Sequence, residues 1–216
     1  MNDIILKDIF NCLKRCVGEI GSWPAESVYE IVLGAILVQN TTWNNAKMSV
    51  EKIGIATKFD PLIISKLKID EIAKLIYSSG FQCRKSRMIK EIFLWLSKFD
   101  YDVDKIKDYY GDNLREALLD FYGIGNETAD VILLYVFQRP CFVADKYSLE
   151  LFQQINCRYA TDYMTLKKYI ESEAKLKVIE WQEFHGLIDE HGKLYAKDKS
   201  GFINSISNLM LSPGLG

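Results

Sequence analysis

Apolar residues recur at every third or fourth position along almost the whole chain, and no stretch alternates apolar and polar over the length of a strand. This constrains the fold more than any other feature, because a 3.6-residue repeat can bury its apolar face only as a helix. Ile5, Ile9, Leu13 and Val17 begin the series. The run 28–38 is apolar on nearly all sides and suits a central, buried helix. Thr42 is placed to cap a helix that buries Trp43, Ala46, Val50 and Ile53. Met88, Ile89, Ile92, Phe93 and Leu96 form another stripe. Residues 114–121 and 127–137 predict a pair of helices joined by a glycine turn. Tyr147, Leu151 and Ile155 continue the pattern, then Tyr163, Leu166 and Ile170, then Phe184, Leu187, Ile188 and Tyr195. The expected fold class is all-α, without repeats, low-complexity segments or a long linker.

The bulk properties exclude several classes. With 216 residues, 49% apolar and 26% charged, the chain is long enough for a substantial core and ordinary for a globular protein. The longest wholly apolar run, residues 31–38, is far too short to span a bilayer, so no membrane association is expected. The start lacks a basic segment followed by a long apolar one, and no signal peptide is expected. Cys12, Cys16, Cys83, Cys141 and Cys157 are odd in number and scattered, which points to a reducing cytoplasm rather than a disulfide framework. Cys12 and Cys16 share a helix face and read as core thiols. They lack the companions a metal site needs, and His185 and His191 read as structural. The net charge of −2 excludes a uniformly basic surface, so a nucleic-acid site would rest on a local basic patch and on backbone groups.

The most informative segment is Leu118-Leu119-Asp120-Phe121-Tyr122-Gly123-Ile124-Gly125-Asn126-Glu127-Thr128-Ala129. Gly123 and Gly125 sit one residue apart between two helical stripes, and glycine tolerates the positive φ of a tight turn. Amides pointing outward at the start of the second helix would make a phosphate site, with Ile124 plugging the turn into the core. On spacing alone, the segment is equally a plain helix–turn–helix corner with a glycine cap. Downstream come an apolar helix, Arg139-Pro140, and then Val143-Ala144-Asp145.

This stretch resembles the helix–hairpin–helix, loop and aspartate module of the endonuclease III superfamily of DNA glycosylases. Ala35-Ile36-Leu37-Val38-Gln39-Asn40-Thr41-Thr42 is similar to that family's helix end with its glutamine. Gly80-Phe81 followed by Arg84-Lys85-Ser86-Arg87 resembles its second DNA-facing turn. The resemblance covers roughly residues 22 to 196, with the motifs in order. It implies a two-lobed helix–hairpin–helix glycosylase fold with DNA crossing the cleft. Residues 22–128 would form a six-helix, barrel-like domain ending in the hairpin. Residues 1–21 with 129–216 would form a second helical domain carrying the aspartate.

The resemblance also implies roles. Asp145 would stabilise the positive charge that builds on the sugar and orient the attacking water; it could equally serve as a helix cap, and both can hold. Bifunctional relatives carry a lysine that forms a Schiff base where this chain has Glu127, which cannot do so. The expectation is therefore a monofunctional enzyme without strand cleavage. Lys146, next to Asp145, is not where the family places its nucleophile. Many relatives end in four cysteines holding an iron–sulfur cluster, and the first should fall at Ala196. No cysteine follows Cys157, so no cluster is expected. Lys193, Lys197 and Lys199 stand near the cluster's place, as DNA contacts or as a solvated helix end. A monovalent cation at the hairpin is compatible with the resemblance.

Glutamate at the lysine position and the absent cluster look like the 3-methyladenine glycosylase branch. Trp23 and Trp43 are candidates for the walls of a base pocket, since π faces attract the positive charge of an alkylated purine; they are equally candidates for core packing. Glu127 could line that pocket. Gln39 is the candidate to fill the hole left by a flipped base. Arg84, Lys85 and Arg87 would hold phosphates of double-stranded DNA. A monomer is expected. The rival readings are excision of an oxidised or mismatched base, a DNA-binding module that has lost catalysis, and a purely structural helical protein.

Overall fold

A computed structural model of the protein describes residues 3–20, 23, 25–195, 198 and 201. Among the described residues the regular structure is helical throughout, with no strand. The order is α1 (Asp3–Val17), α2 (Val28–Leu37), α3 (Trp43–Thr57), α4 (Pro61–Lys66), α5 (Ile69–Leu75), α6 (Gln82–Ser97), α7 (Val103–Tyr110), α8 (Leu114–Leu119), α9 (Asn126–Tyr135), α10 (Lys146–Gln154), α11 (Tyr163–Glu173) and α12 (Val178–Tyr195). Short 3-10 turns at Tyr77–Ser79 and Gly111–Asn113 precede α6 and α8. No described helix is long and apolar enough to cross a membrane.

The chain divides into two compact units, one of residues 1–23 with 140–216 and one of residues 24–139. The 24–139 unit is built around α2, which packs on α3, α6 and α9. Val32 to Leu37 are all buried, as a helix apolar on every side requires. Its start is set by Ser27, whose hydroxyl accepts the Glu30 amide at 3.2 Å. Thr42 caps α3 in the same way, taking the Asn45 amide at 3.3 Å. α4 and α7 begin at aspartate caps, Asp60 and Asp102, with Pro61 as the first residue of α4.

The other unit packs α12 on α1 and α10. Its core is aromatic: Phe142 lies 5.7 Å from Trp181 and 6.0 Å from Phe184, and Phe184 meets Phe10 at 5.6 Å between ring centroids. The second boundary corrects the sequence expectation. It falls after Arg139 rather than at residue 128, because α9 packs on α2 and α8 and buries every residue from Thr128 to Tyr135 within the 24–139 unit.

Candidate active site

The hairpin joins α8 to α9. Gly123 has φ +83°, a conformation that side chains resist. A Cβ there would also stand 2.7 Å from the Met88 sulfur and 3.1 Å from Arg84 Nε, so α6 packs against the bare backbone. Gly125 differs from the sequence reading. Its backbone is extended (φ −99°, ψ −179°) and a Cβ would meet nothing within 4 Å. Its contribution is to start α9 without a side-chain cap of its own, at the positive end of the helix dipole, where an anion is favoured. Ile124 is buried, as expected of a plug, and its amide closes the turn on the Phe121 carbonyl at 3.1 Å.

Behind the turn a buried ion pair fixes the two helices. Arg115 of α8 donates to both carboxylate oxygens of Asp130 on α9, at 2.9 and 3.0 Å, and to Asn126 Oδ1 at 2.8 Å. This two-pronged geometry sets angle as well as distance. α6 supplies the basic flank. Arg84 donates to the Gly123 carbonyl at 3.3 Å, and the Arg87 guanidinium stacks 4.4 Å from the Tyr122 ring centre while bonding Glu91 at 2.7 Å. Both arginines are exposed.

Lys85 does not belong with them. It was expected to hold phosphate, yet it is 1% exposed, and its ammonium donates to the carbonyls of Leu37 at 2.9 Å and Ser79 at 2.7 Å. Burial, with Arg84 adding to it, pushes its pKa down to about 8. Lys85 closes the C-terminal end of α2 from inside. The 100° step between neighbours on a helix explains why it faces inward while Arg84 and Arg87 face out.

Gln39 follows α2 and donates to the Thr128 hydroxyl at 2.9 Å, tying that turn to the first turn of α9. Glu127 is exposed on the same first turn, and no amine occupies its position. Trp43 opens α3 and is half-buried; Trp23, in the other unit, is half-buried too. Phe81, read in the sequence only as part of the second DNA-facing turn, is the N-cap of α6 with φ 49° and is 61% exposed.

The other unit holds Asp145 at the end of a buried segment without regular structure, residues 141–145. Buried irregular backbone needs partners. α11 supplies them at Phe142: Glu171 accepts its N–H at 2.8 Å, Lys167 donates to its C=O at 3.0 Å, and the two side chains pair with each other. Ser148 donates its hydroxyl to the Val143 carbonyl at 3.0 Å. Asp145 caps α10, its Oδ1 accepting the Ser148 amide at 2.8 Å. Its Oδ2 lies 3.9 Å from His185 Nε2, with the Asp145 side chain 11% exposed. Burial raises the carboxyl above its usual range, against the opposing pull of His185 and the Ser148 bonds, and Asp189 adds to the rise.

α12 thus brings His185 to Asp145, which sequence reading, taking His185 as structural, did not see. The signal was the spacing His185, Asp189, Lys193, one residue per turn on a single helix face. Lys193 is bonded to Asp189 and, at 2.8 Å, to Glu190, so its charge is already matched within the protein. His191 is buried against Tyr195, and burial pushes its pKa down to about 4. Ala196, Lys197 and Lys199 lie outside the described residues. A four-cysteine iron–sulfur centre does not fit the sequence, which has no cysteine after Cys157.

No family model matches the chain. A Methanocaldococcus jannaschii protein assigned as a DNA repair glycosylase is 30% identical over 195 residues, 89% of each chain. The endonuclease III of Sulfolobus acidocaldarius is 24% identical over 80% of this chain and 76% of its own. Among solved structures, the H. pylori 3-methyladenine DNA glycosylase bound to 1,N6-ethenoadenine superposes with a TM-score of 0.75 at 24% identity, covering 90% of this chain and 98% of that one. An endonuclease III trapped as a covalent intermediate with DNA gives 0.74 at 16% identity, covering 93% and 90%. The chain belongs to the endonuclease III superfamily of helix–hairpin–helix DNA glycosylases.

Proposed function

We propose that this glycosylase is monofunctional: it hydrolyses the N-glycosidic bond of an alkylated purine in double-stranded DNA and leaves the strand intact. The observation that carries this reading is Glu127, exposed on the first turn of α9 where a lyase of this family would present a lysine amine. Without that amine, the chemistry rests on Asp145 and water. A buried carboxylate stabilises the positive charge that grows on the sugar far better than a solvated one, because little water screens it.

The remaining roles are these. The amides of the hairpin at Gly123 and Gly125 bind a backbone phosphate, with Ile124 anchoring the turn, and Arg84 and Arg87 bind its neighbours. Gln39 and Phe81 contact the disturbed bases; an aromatic face stacked on a base contributes about 1–3 kcal/mol. Trp23 and Trp43 offer π faces to a cationic purine. The enzyme acts as a cytoplasmic monomer without an iron–sulfur cluster. The alkylated-purine reading is supported by the likeness to a 3-methyladenine glycosylase holding a modified adenine. Three curated relatives called endonuclease III, each 23–24% identical, support the second reading, release of an oxidised or mismatched base.

Base release from duplexes carrying one methylated, oxidised or deaminated base tests the substrate. Release from the methylated duplex is expected, and release confined to another class would replace the reading. Borohydride added during turnover is expected to trap no protein–DNA adduct, whereas a trapped adduct would overturn the monofunctional assignment.

A further inference from the structure

Asp145 is a buried carboxylate that needs a charge partner, and the groups around it limit the choice. From α12, His185 Nε2 stands 3.9 Å from its Oδ2, and Asp189, one turn further on, adds repulsion. Asp189 is itself paired with Lys193. From α10, Lys146 is directed to Glu150 at 3.7 Å, and from α1, which packs on α12, Lys14 is paired with Glu183 at 2.6 Å. Lys167 of α11 serves Phe142 and Glu171. Among the described ion-pair contacts, the one that Asp145 makes is with His185.

We infer that His185 is a positioning residue for the glycosylase reaction: as an imidazolium it holds the buried Asp145 carboxylate ionised and in place while positive charge builds on the sugar. The inference rests on Asp145 being the catalytic carboxylate. The separation is too long for a direct hydrogen bond, so the coupling is one of charge, carried across the gap or through a water. The helix cap does not do the same work, because the Ser148 amide is a neutral donor and supplies no counter-charge to the carboxylate. A neutral side chain of similar size cannot replace the imidazolium, and a different cation can.

The test is the pH profile of base release under single-turnover conditions, with the full chain and a lesion duplex, for His185→Gln and His185→Lys. Loss of the positive charge should move the acid limb of the glutamine variant upward by about 1–3 pH units. Its single-turnover rate should therefore fall about tenfold or more near neutrality and recover at high pH, with duplex affinity unchanged. The lysine variant should keep the wild-type acid limb. A glutamine variant with the wild-type limb overturns the inference, and so does a lysine variant displaced from it. If the glutamine variant does not fold, the lysine variant decides by the same criterion. Asp145→Asn separates the two levels: full turnover there removes the reading of Asp145 and this inference with it. An inactive asparagine variant beside an unmoved glutamine profile removes the inference alone.

Discussion

The hairpin and the aspartate are each made from a helix start, and they use it in opposite ways. At α9 the N-cap is Gly125, which has no side chain to cap the first turn, and the surrounding charges, Arg84 and Arg87, are exposed. At α10 the N-cap is Asp145, the protein's own carboxylate takes the place of an external anion, and the surroundings are buried. The first start has no cap from its own N-cap residue; the second is filled by the Asp145 carboxylate. On the function proposed above, a helix start without a side-chain cap serves binding in one unit, and a start capped by the protein's own carboxylate serves chemistry in the other. The difference predicts that damage to the first affects affinity while damage to the second affects rate.

The largest effect expected is at Asp145. Asp145→Asn retains a side-chain oxygen for the Ser148 amide but carries no charge, so the fold and the binding of abasic duplex should persist. The single-turnover rate should fall by about a thousandfold or more. A fall in affinity of the same size would break the comparison, because it would make Asp145 a binding group.

Next in size is a pH effect on the stability of the same unit. His191 is buried and its folded pKa is depressed to about 4, below the ordinary histidine value of about 6.5. Between these values the unfolded chain takes up a proton that the folded one refuses. Stability is therefore fully present above about pH 6.5 and is lost as the pH falls towards 4, by up to about 3 kcal/mol. Urea melts of wild type and His191→Gln between pH 7 and 4.5 check this. The glutamine variant should lose much less over that range.

What could be read beforehand divides along the same line. The all-helical class and the hairpin were legible, because a 3.6-residue apolar period and a Gly-Ile-Gly turn are local signals. Asp145 as a helix cap was legible for the same reason. The short helices α4, α5 and α7 were missed; their apolar stripes span barely two turns, and only start signals such as Asp60-Pro61, Glu71 and Asp102 marked them. Lys85 was misplaced because a run of charges reads as a solvated face, and its inward direction depends on the carbonyls of Leu37 and Ser79, which only the fold brings to it. The same applies to His185 and to the Lys167–Glu171 pair. Each acts on a backbone or carboxylate group that only tertiary packing brings near.

Gly123→Ala should cost about 1–3 kcal/mol, since it forces a side chain into positive φ and against Met88. Gly125→Ala meets no neighbouring atom and should cost well under that. Thermal melts of the two variants distinguish a turn that needs both glycines from one that needs only the first.

The smallest effect is the sharpest test of the basic flank. Arg84 and Lys85 are neighbours in sequence, yet one is exposed beside the hairpin and the other is sealed under α2. Removing one cation that binds a phosphate lowers the slope of log affinity against log salt by about one. Arg84→Gln should therefore reduce that slope by about one for undamaged duplex. Lys85→Met should leave the slope as it is and lower the melting temperature instead, since it strands two buried carbonyls. An equal reduction in both variants would mean that Lys85 leaves its buried site when DNA binds, and an unchanged slope for Arg84→Gln would remove Arg84 from the phosphate contacts.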